Sequence, residues 1–218
     1  MRLEMSSLQK RSFFTRRSHY QGQADSRNRK SGLGKQSQQN GLMYEGQWWH
    51  GMRHGYGVVY RKMPDTEMYV KIYAGNWQND RKQGLGIKYY RNGKYLGFWK
   101  EDQRSGHGFM WFDSGNFYMG EWEADRFGGF GIYLSAGGNR YHGQFRDGKR
   151  HGEGIYLHSG TGQIQKGFWE QGMFKLGTIE DWNRNQVLFP TIYPIPELKL
   201  ANFPQVYDEW MAKLTTAT

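Results

Sequence analysis

The chain has no cysteine, so it can form neither a disulfide framework nor a thiolate metal site. This fits a reducing compartment. Apolar residues are also sparse, at 37% with a mean hydropathy of −0.91. No apolar run approaches the roughly 20 residues that a membrane-spanning helix needs. Met1-Arg2-Leu3-Glu4-Met5 carries no apolar stretch of the secretory type, so no leader is expected.

The marks of catalysis are missing too. No serine sits in a nucleophile elbow, and no paired carboxylates recur in a pocket-like arrangement. Gly128-Gly129-Phe130-Gly131 and Gly137-Gly138 lack the strand–loop–helix setting and the Lys-Ser/Thr ending of a phosphate loop. His50 and His54 are four apart, but Gly51 and Gly55 argue against a helix that would align them. His54 and His151 occupy one repeat position on separate hairpins, and His107 sits inside a glycine pair. A metal needs three or four convergent ligands. No enzyme, metal or cofactor is expected.

What the chain has is glycine, 31 residues, and aromatic side chains, 17%. They are phased. Tyr118-Met119-Gly120-Glu121-Trp122 is followed by Gly129-Phe130-Gly131: Tyr, Gly and Trp at offsets 0, 2 and 4, then glycines at 11 and 13. Tyr44, Gly46 and Trp48 are followed by Gly55 and Gly57. Tyr73, Gly75 and Trp77 precede Gly84 and Gly86. Tyr95, Gly97 and Trp99 precede Gly106 and Gly108. Tyr141, Gly143 and Phe145 precede Gly152 and Gly154. A degenerate unit starts at Gln165, with Gly167 and Trp169, but Leu176 and Thr178 stand in its glycine places. A doubtful one is Tyr20-x-Gly22 with Gly32-x-Gly34, one residue out of phase and without Trp.

Offsets 0, 2 and 4 lie on one face of a strand because strand side chains alternate. Offsets 11, 13 and 15 face the same way on a second strand. The intervening His50-Gly51, Asn79-Asp80, Glu101-Asp102 and Asp147-Gly148 are turn residues, so each unit reads as a β-hairpin. The glycines are assigned to packing: they give room for a ring to lie over the bare backbone of a neighbouring hairpin. On the opposite face, Val58, Ile87, Phe109, Ile132 and Ile155 form one apolar column. Tyr60, Tyr89, Trp111, Leu134 and Leu157 form another. Stacking is expected to bury both, since a lone hairpin is marginal in water.

The Y-x-G-x-W…G-x-G unit resembles the MORN repeat (membrane occupation and recognition nexus) over roughly residues 41–180. Gly162-Gln163, Gly167-Phe168-Trp169, Gly177-Thr178-Ile179 and Pro194-Ile195-Pro196-Glu197 are similar to the corresponding run of one member of that family. The fold expected is all-β: an elongated single-sheet solenoid of tandem antiparallel hairpins over 41–182, with repeats starting near 44, 73, 95, 118, 141 and 165. The resemblance implies a scaffold or adaptor that binds protein, in the cytoplasm of ciliated cells or developing sperm, near microtubule or axonemal assemblies. The family name suggests the alternative, a peripheral module on anionic lipid. Tyr44, Trp48, Tyr73, Trp77, Tyr95, Trp99, Tyr118, Trp122, Tyr141, Phe145 and Trp169 share one face. Whether they only form the core or also line a groove for a peptide or helix is left open at this point.

The net charge of +10 is uneven. Residues 1–40 carry nine Lys and Arg against Glu4 and Asp25 (+7), including Lys10, Arg11, Arg16, Arg17, Arg27, Arg29 and Lys30. They are read as a mostly disordered basic arm, a solvated tail first of all. An acidic protein such as the tubulin surface, anionic lipid and nucleic acid follow as partners, with nucleic acid not favoured. The body is nearly balanced. Arg61–Ile72 is an insertion, read as a tolerated longer loop or a binding element. After the array, Pro190 to Pro196 is expected to stay extended. A short helix is expected from Pro204, with Val206, Tyr207, Trp210, Met211 and Leu214 on one stripe, closing the last sheet edge or else docking a partner. A homodimer is compatible with all of this.

Overall fold

The computed structural model describes residues 9–15 and 18–181, and the side chains from Ser18 onward. Among these residues every regular element is a strand. The strands are β1 (Gln9–Thr15), β2 (Ser18–Ala24), β3 (Lys30–Gln38), β4 (Leu42–Trp49), β5 (Met52–Lys62), β6 (Tyr69–Gln78), β7 (Arg81–Tyr90) and β8 (Gly93–Lys100). They continue with β9 (Gln103–Phe112), β10 (Phe117–Glu123), β11 (Arg126–Leu134), β12 (Arg140–Arg146), β13 (Lys149–His158), β14 (Gln163–Glu170) and β15 (Met173–Asp181). Each pairs antiparallel with the next, in chain order, and the sheet is open. At about 4.8 Å per strand it runs for roughly 70 Å.

The turns follow from their residues. His50-Gly51, Asn79-Asp80, Glu101-Asp102, Ala124-Asp125, Asp147-Gly148 and Gln171-Gly172 all have positive φ at both positions. That is the backbone of a two-residue turn whose twist suits a hairpin. The insertion after Tyr60 is absorbed differently. β5 and β6 lengthen to 11 and 10 residues, pair as far as Lys62 and Tyr69, and close by Met63 N–H donating to Met68 O at 2.8 Å.

A single row of glycine crosses the sheet. Gly22, Gly34, Gly46, Gly57, Gly75, Gly86, Gly97, Gly108, Gly120, Gly131, Gly143, Gly154, Gly167 and Gly177 stand opposite one another, one from each of β2 to β15. A Cβ on Gly57 would fall inside the Tyr44 ring, and one on Gly108 inside the Tyr95 ring. The ring that fills this room is the tyrosine of the same hairpin; the neighbouring hairpin contributes its tryptophan. The other phased glycine of each unit serves the chain instead. Gly55, Gly84, Gly106, Gly129 and Gly152 have φ between 48° and 72°, beside the register shift in each hairpin.

Further expectations change. Residues 18–38 are not a disordered arm: they form β2 and β3, and Tyr20 is buried in the same core as the later tyrosines. One extra residue in the Asp25–Arg29 turn had put this unit out of phase. At the other end Gly177, not Thr178, takes the place opposite Gly167, because that hairpin is one residue tighter. The apolar columns of the opposite face are not buried. Phe109, Ile155 and Ile179 are 37%, 43% and 56% exposed, and Tyr89 and Trp111 are exposed as well. The sheet has one layer, so only the ring face closes on itself. Trp182, the Pro190–Pro196 stretch, the 204–214 helix, Arg16 and Arg17 lie outside the described residues.

If ring and bare backbone are matched in this way, Gly57→Ala costs about 3 kcal/mol by overpacking. Gly160→Ala, where an added Cβ meets nothing within 4 Å, stays within about 0.5 kcal/mol of the parent. Urea titration followed by tryptophan fluorescence measures both.

Candidate interaction face

The ring face is built by one local motif repeated. The register shift after the second-offset glycine leaves a carbonyl pointing out of the ladder, and the tyrosine hydroxyl donates to it. Tyr44 Oη reaches Gln47 O at 2.8 Å, Tyr73 reaches Asn76 O at 3.0 Å, Tyr95 reaches Phe98 O at 3.0 Å, and Tyr118 reaches Glu121 O at 2.8 Å. The indole N–H crosses to the preceding hairpin. Trp77 donates to Gly57 O at 3.2 Å and Trp99 to Gly86 O at 3.2 Å.

Tyr44, Tyr73 and Tyr95 therefore each stand edge-on between two indoles, while Tyr118 and Tyr141 have one indole and the Phe145 ring. Tyr44 meets Trp48 at 4.9 Å and 82°, and Trp77 at 5.6 Å and 90°. Tyr95 meets Trp99 at 5.3 Å and Trp122 at 5.1 Å. Such pairs contribute about 0.5–1.5 kcal/mol each beyond burial. All eleven aromatic residues that share this face are buried, Tyr95 and Tyr118 to 0% exposure. The rings are therefore core, and what a partner on this face would meet is their cover.

That cover was missed in the sequence. Arg53 lies over Trp77 at 4.1 Å, Lys82 over Trp99 at 5.2 Å, Arg104 over Trp122 at 4.1 Å, and Arg150 over Trp169 at 4.2 Å. Lys30, from the stretch read as a basic arm, lies over Trp48 at 4.0 Å. These cations sit at one repeat position, nine residues after the tyrosine, with Lys30 one further along. Their stems shield the indoles and their charge faces the rings' negative faces. Three of them also pair with an aspartate in the next hairpin's turn: Arg53–Asp80 at 3.0 Å, Lys82–Asp102 at 2.8 Å and Arg104–Asp125 at 2.8 Å. A periodic Asp seven residues after the tyrosine was the available signal. Between the cations, Tyr90, Phe112, Phe127, Tyr133, Tyr156 and Phe174 pack half-buried against the ladder.

Among the described basic side chains of the first forty, Lys30 lies over Trp48 and Arg29 is held in an ion pair. Arg29 is tied to Asp25 at 2.8 Å, while Arg27 offers only its backbone N–H to Asp25. Lys10 and Arg11 fall on β1. Among the described residues no three His, Cys, Asp or Glu come together as a metal site would require.

The array matches known sequences. The family model described as MORN repeat matches residues 44–62, 73–94, 95–117, 118–140 and 141–161. MORN repeat-containing protein 3 of Xenopus laevis is 51% identical over 168 residues, 77% of this chain and 71% of the relative. The human protein of that name is 41% identical over 51 residues, 23% of this chain and 21% of the relative. The Bos taurus protein is 39% identical over 51 residues, with the same coverage.

Burial raises every ladder tyrosine above its ordinary value near 10, with Tyr20 and Tyr141 pushed up to about 12 and Tyr44, Tyr73, Tyr95 and Tyr118 raised further. A raised folded value means the tyrosines' contribution is fully present below pH 10 and is lost as pH climbs through 12. Base-induced unfolding therefore sets in above about pH 10. Tyrosinate absorbance at 295 nm should rise together with loss of strand circular dichroism, whereas ionisation that precedes the loss of structure would contradict burial as the cause.

Proposed function

The chain belongs to the MORN repeat family, and on that premise we propose that it is a non-enzymatic scaffold holding a segment of another protein along its ring face. Arrays of this family are generally scaffolds for protein or membrane binding. The observation that carries the protein reading is the half-buried cover of this face: a line of Tyr, Phe, Arg and Lys above the buried ladder. Aromatic and arginine side chains dominate the energetics of protein interfaces. An extended peptide or one face of a helix spans several repeats of such a line. Lipid adsorption is less well supported, because the cations over Trp77, Trp99 and Trp122 are already paired with aspartates. The same proposal keeps the cytoplasmic, microtubule-associated setting that the family resemblance implies, at cilia, flagella or sperm cytoskeleton.

Tyr90→Ser/Phe112→Ser removes cover without touching the Tyr–Trp ladder. In pull-downs from ciliated tissue the variant should keep its fold and lose at least about tenfold of its retained partner, as hot-spot truncation does. Undiminished retention refutes the reading, and sedimentation with phosphatidylserine vesicles in place of protein capture would replace it with the lipid one.

A further inference from the structure

The cation–aspartate pairs that cover the ladder form a repeated site, and two of its five cations, Lys30 and Arg150, face a glycine in place of the aspartate. The aspartate stands at the second positive-φ position of the turn: φ is 66° at Asp80, 70° at Asp102 and 66° at Asp125. Glycine adopts that backbone more readily. Aspartate is present where it meets a cation. Where Phe127 replaces the cation, the facing turn residue is Gly148. Arg150 breaks the correspondence, because its facing turn residue is Gly172.

Arg150 keeps the other arginine contacts of the site, while the Trp169 indole N–H beneath it, unlike those of Trp77, Trp99 and Trp122, has no hydrogen-bond partner among the described residues. Arg150 Nη2 donates to Gly172 O at 2.9 Å, as Arg53 does to Asp80 O and Arg104 to Asp125 O, both at 2.8 Å. It lies over Trp169 at 4.2 Å, as the other two arginines lie over their indoles. What differs in the guanidinium is Nε. In Arg53 and Arg104 it donates to the aspartate, whereas in Arg150 the bond to Gly172 O is the guanidinium's hydrogen bond and no carboxylate among the described residues reaches it. Lys30, which faces Gly51, is answered by Gln36 Oε1 at 2.9 Å. A cavity of about 410 Å³ opens beside Arg150 at this place, lined also by Phe127, Tyr133, Tyr156, Gly148 and Gly172.

We propose that this cavity is a receptor for a carboxylate on the partner segment, an Asp or Glu side chain with a bulky apolar neighbour. The carboxylate takes the position of the missing aspartate and accepts from Arg150 Nε. The apolar neighbour rests on Phe127, Tyr133 and Tyr156. A charge-assisted bond here is formed over an aromatic floor, where solvent competes poorly. The proposal rests on the ring-face reading above and names the chemistry of what binds there.

The test needs no partner. The full chain, labelled with ¹⁵N-arginine, is titrated with N-acetylphenylalanine, which carries both features, and separately with N-acetylphenylalaninamide, which lacks the charge. The Arg150 Nε–H resonance, assigned by its loss in Arg150→Lys, should shift saturably with the acid and not with the amide, while those of Arg53 and Arg104 stay. Gly172→Asp restores the internal pair: like Asp125, Gly172 holds the second positive-φ place of its turn, at 88° against 66°, and an added Cβ meets nothing within 4 Å. It should weaken acid binding by about 10- to 100-fold, and Gly172→Asn by less. Equal response to acid and amide, no response, or full binding by Gly172→Asp overturns the proposal. The Tyr90/Phe112 pull-down fails or succeeds independently, so the two readings separate.

Discussion

Everything in this fold depends on the tyrosine ring lying flat on paired, side-chain-free backbone. Two glycine Cα atoms face each other across every strand pair from β2 to β15, and the ring occupies the space that two Cβ atoms would take. That contact closes the ring face of a one-layer sheet, which has no second layer to bury it. The hydroxyl then caps the carbonyl freed by the bulge, and the indole of the next hairpin closes over the ring edge. Each repeat is completed by its neighbour, the arrangement expected of a solenoid.

The burial of the rings moves function outward by one layer. The Tyr–Trp ladder sets the spacing, and the side chains laid over it meet the solvent. Because cations cover the indoles at one fixed repeat position, their partners become comparable from copy to copy. Asp80, Asp102 and Asp125 complete the site, Gly148 accompanies the loss of the cation, and Gly172 leaves Arg150 unanswered among the described residues. A repeat protein provides its own controls in this way: the complete copies state what the incomplete one lacks.

Much of this was legible in the sequence. Alternation at offsets 0, 2 and 4 gave the strands, the turn dipeptides gave the hairpins, and the phased glycines gave the packing. The first hairpin was hidden by one extra turn residue and by Ala24 standing where Trp recurs, though Tyr20 and Gly34 marked it. Gly177 was hidden by the opposite change. The column through Phe109 and Ile155 was misread because apolar alternation shows which residues share a face, without showing whether a second layer covers it. The Arg53–Asp80 pair joins residues 27 apart across a hairpin boundary, so it becomes visible only when repeats are aligned by position.

The dependence of neighbouring hairpins on one bare backbone row is open to amide hydrogen exchange, strand by strand, on the full chain carrying Gly131→Ala. Displacing the Tyr118 ring should strip protection from β10 and β11 first and from β9 and β12 next, leaving β3 and β4 as slow as in the parent. Unchanged protection in β10 and β11 would show that the ring does not need the empty place beneath it.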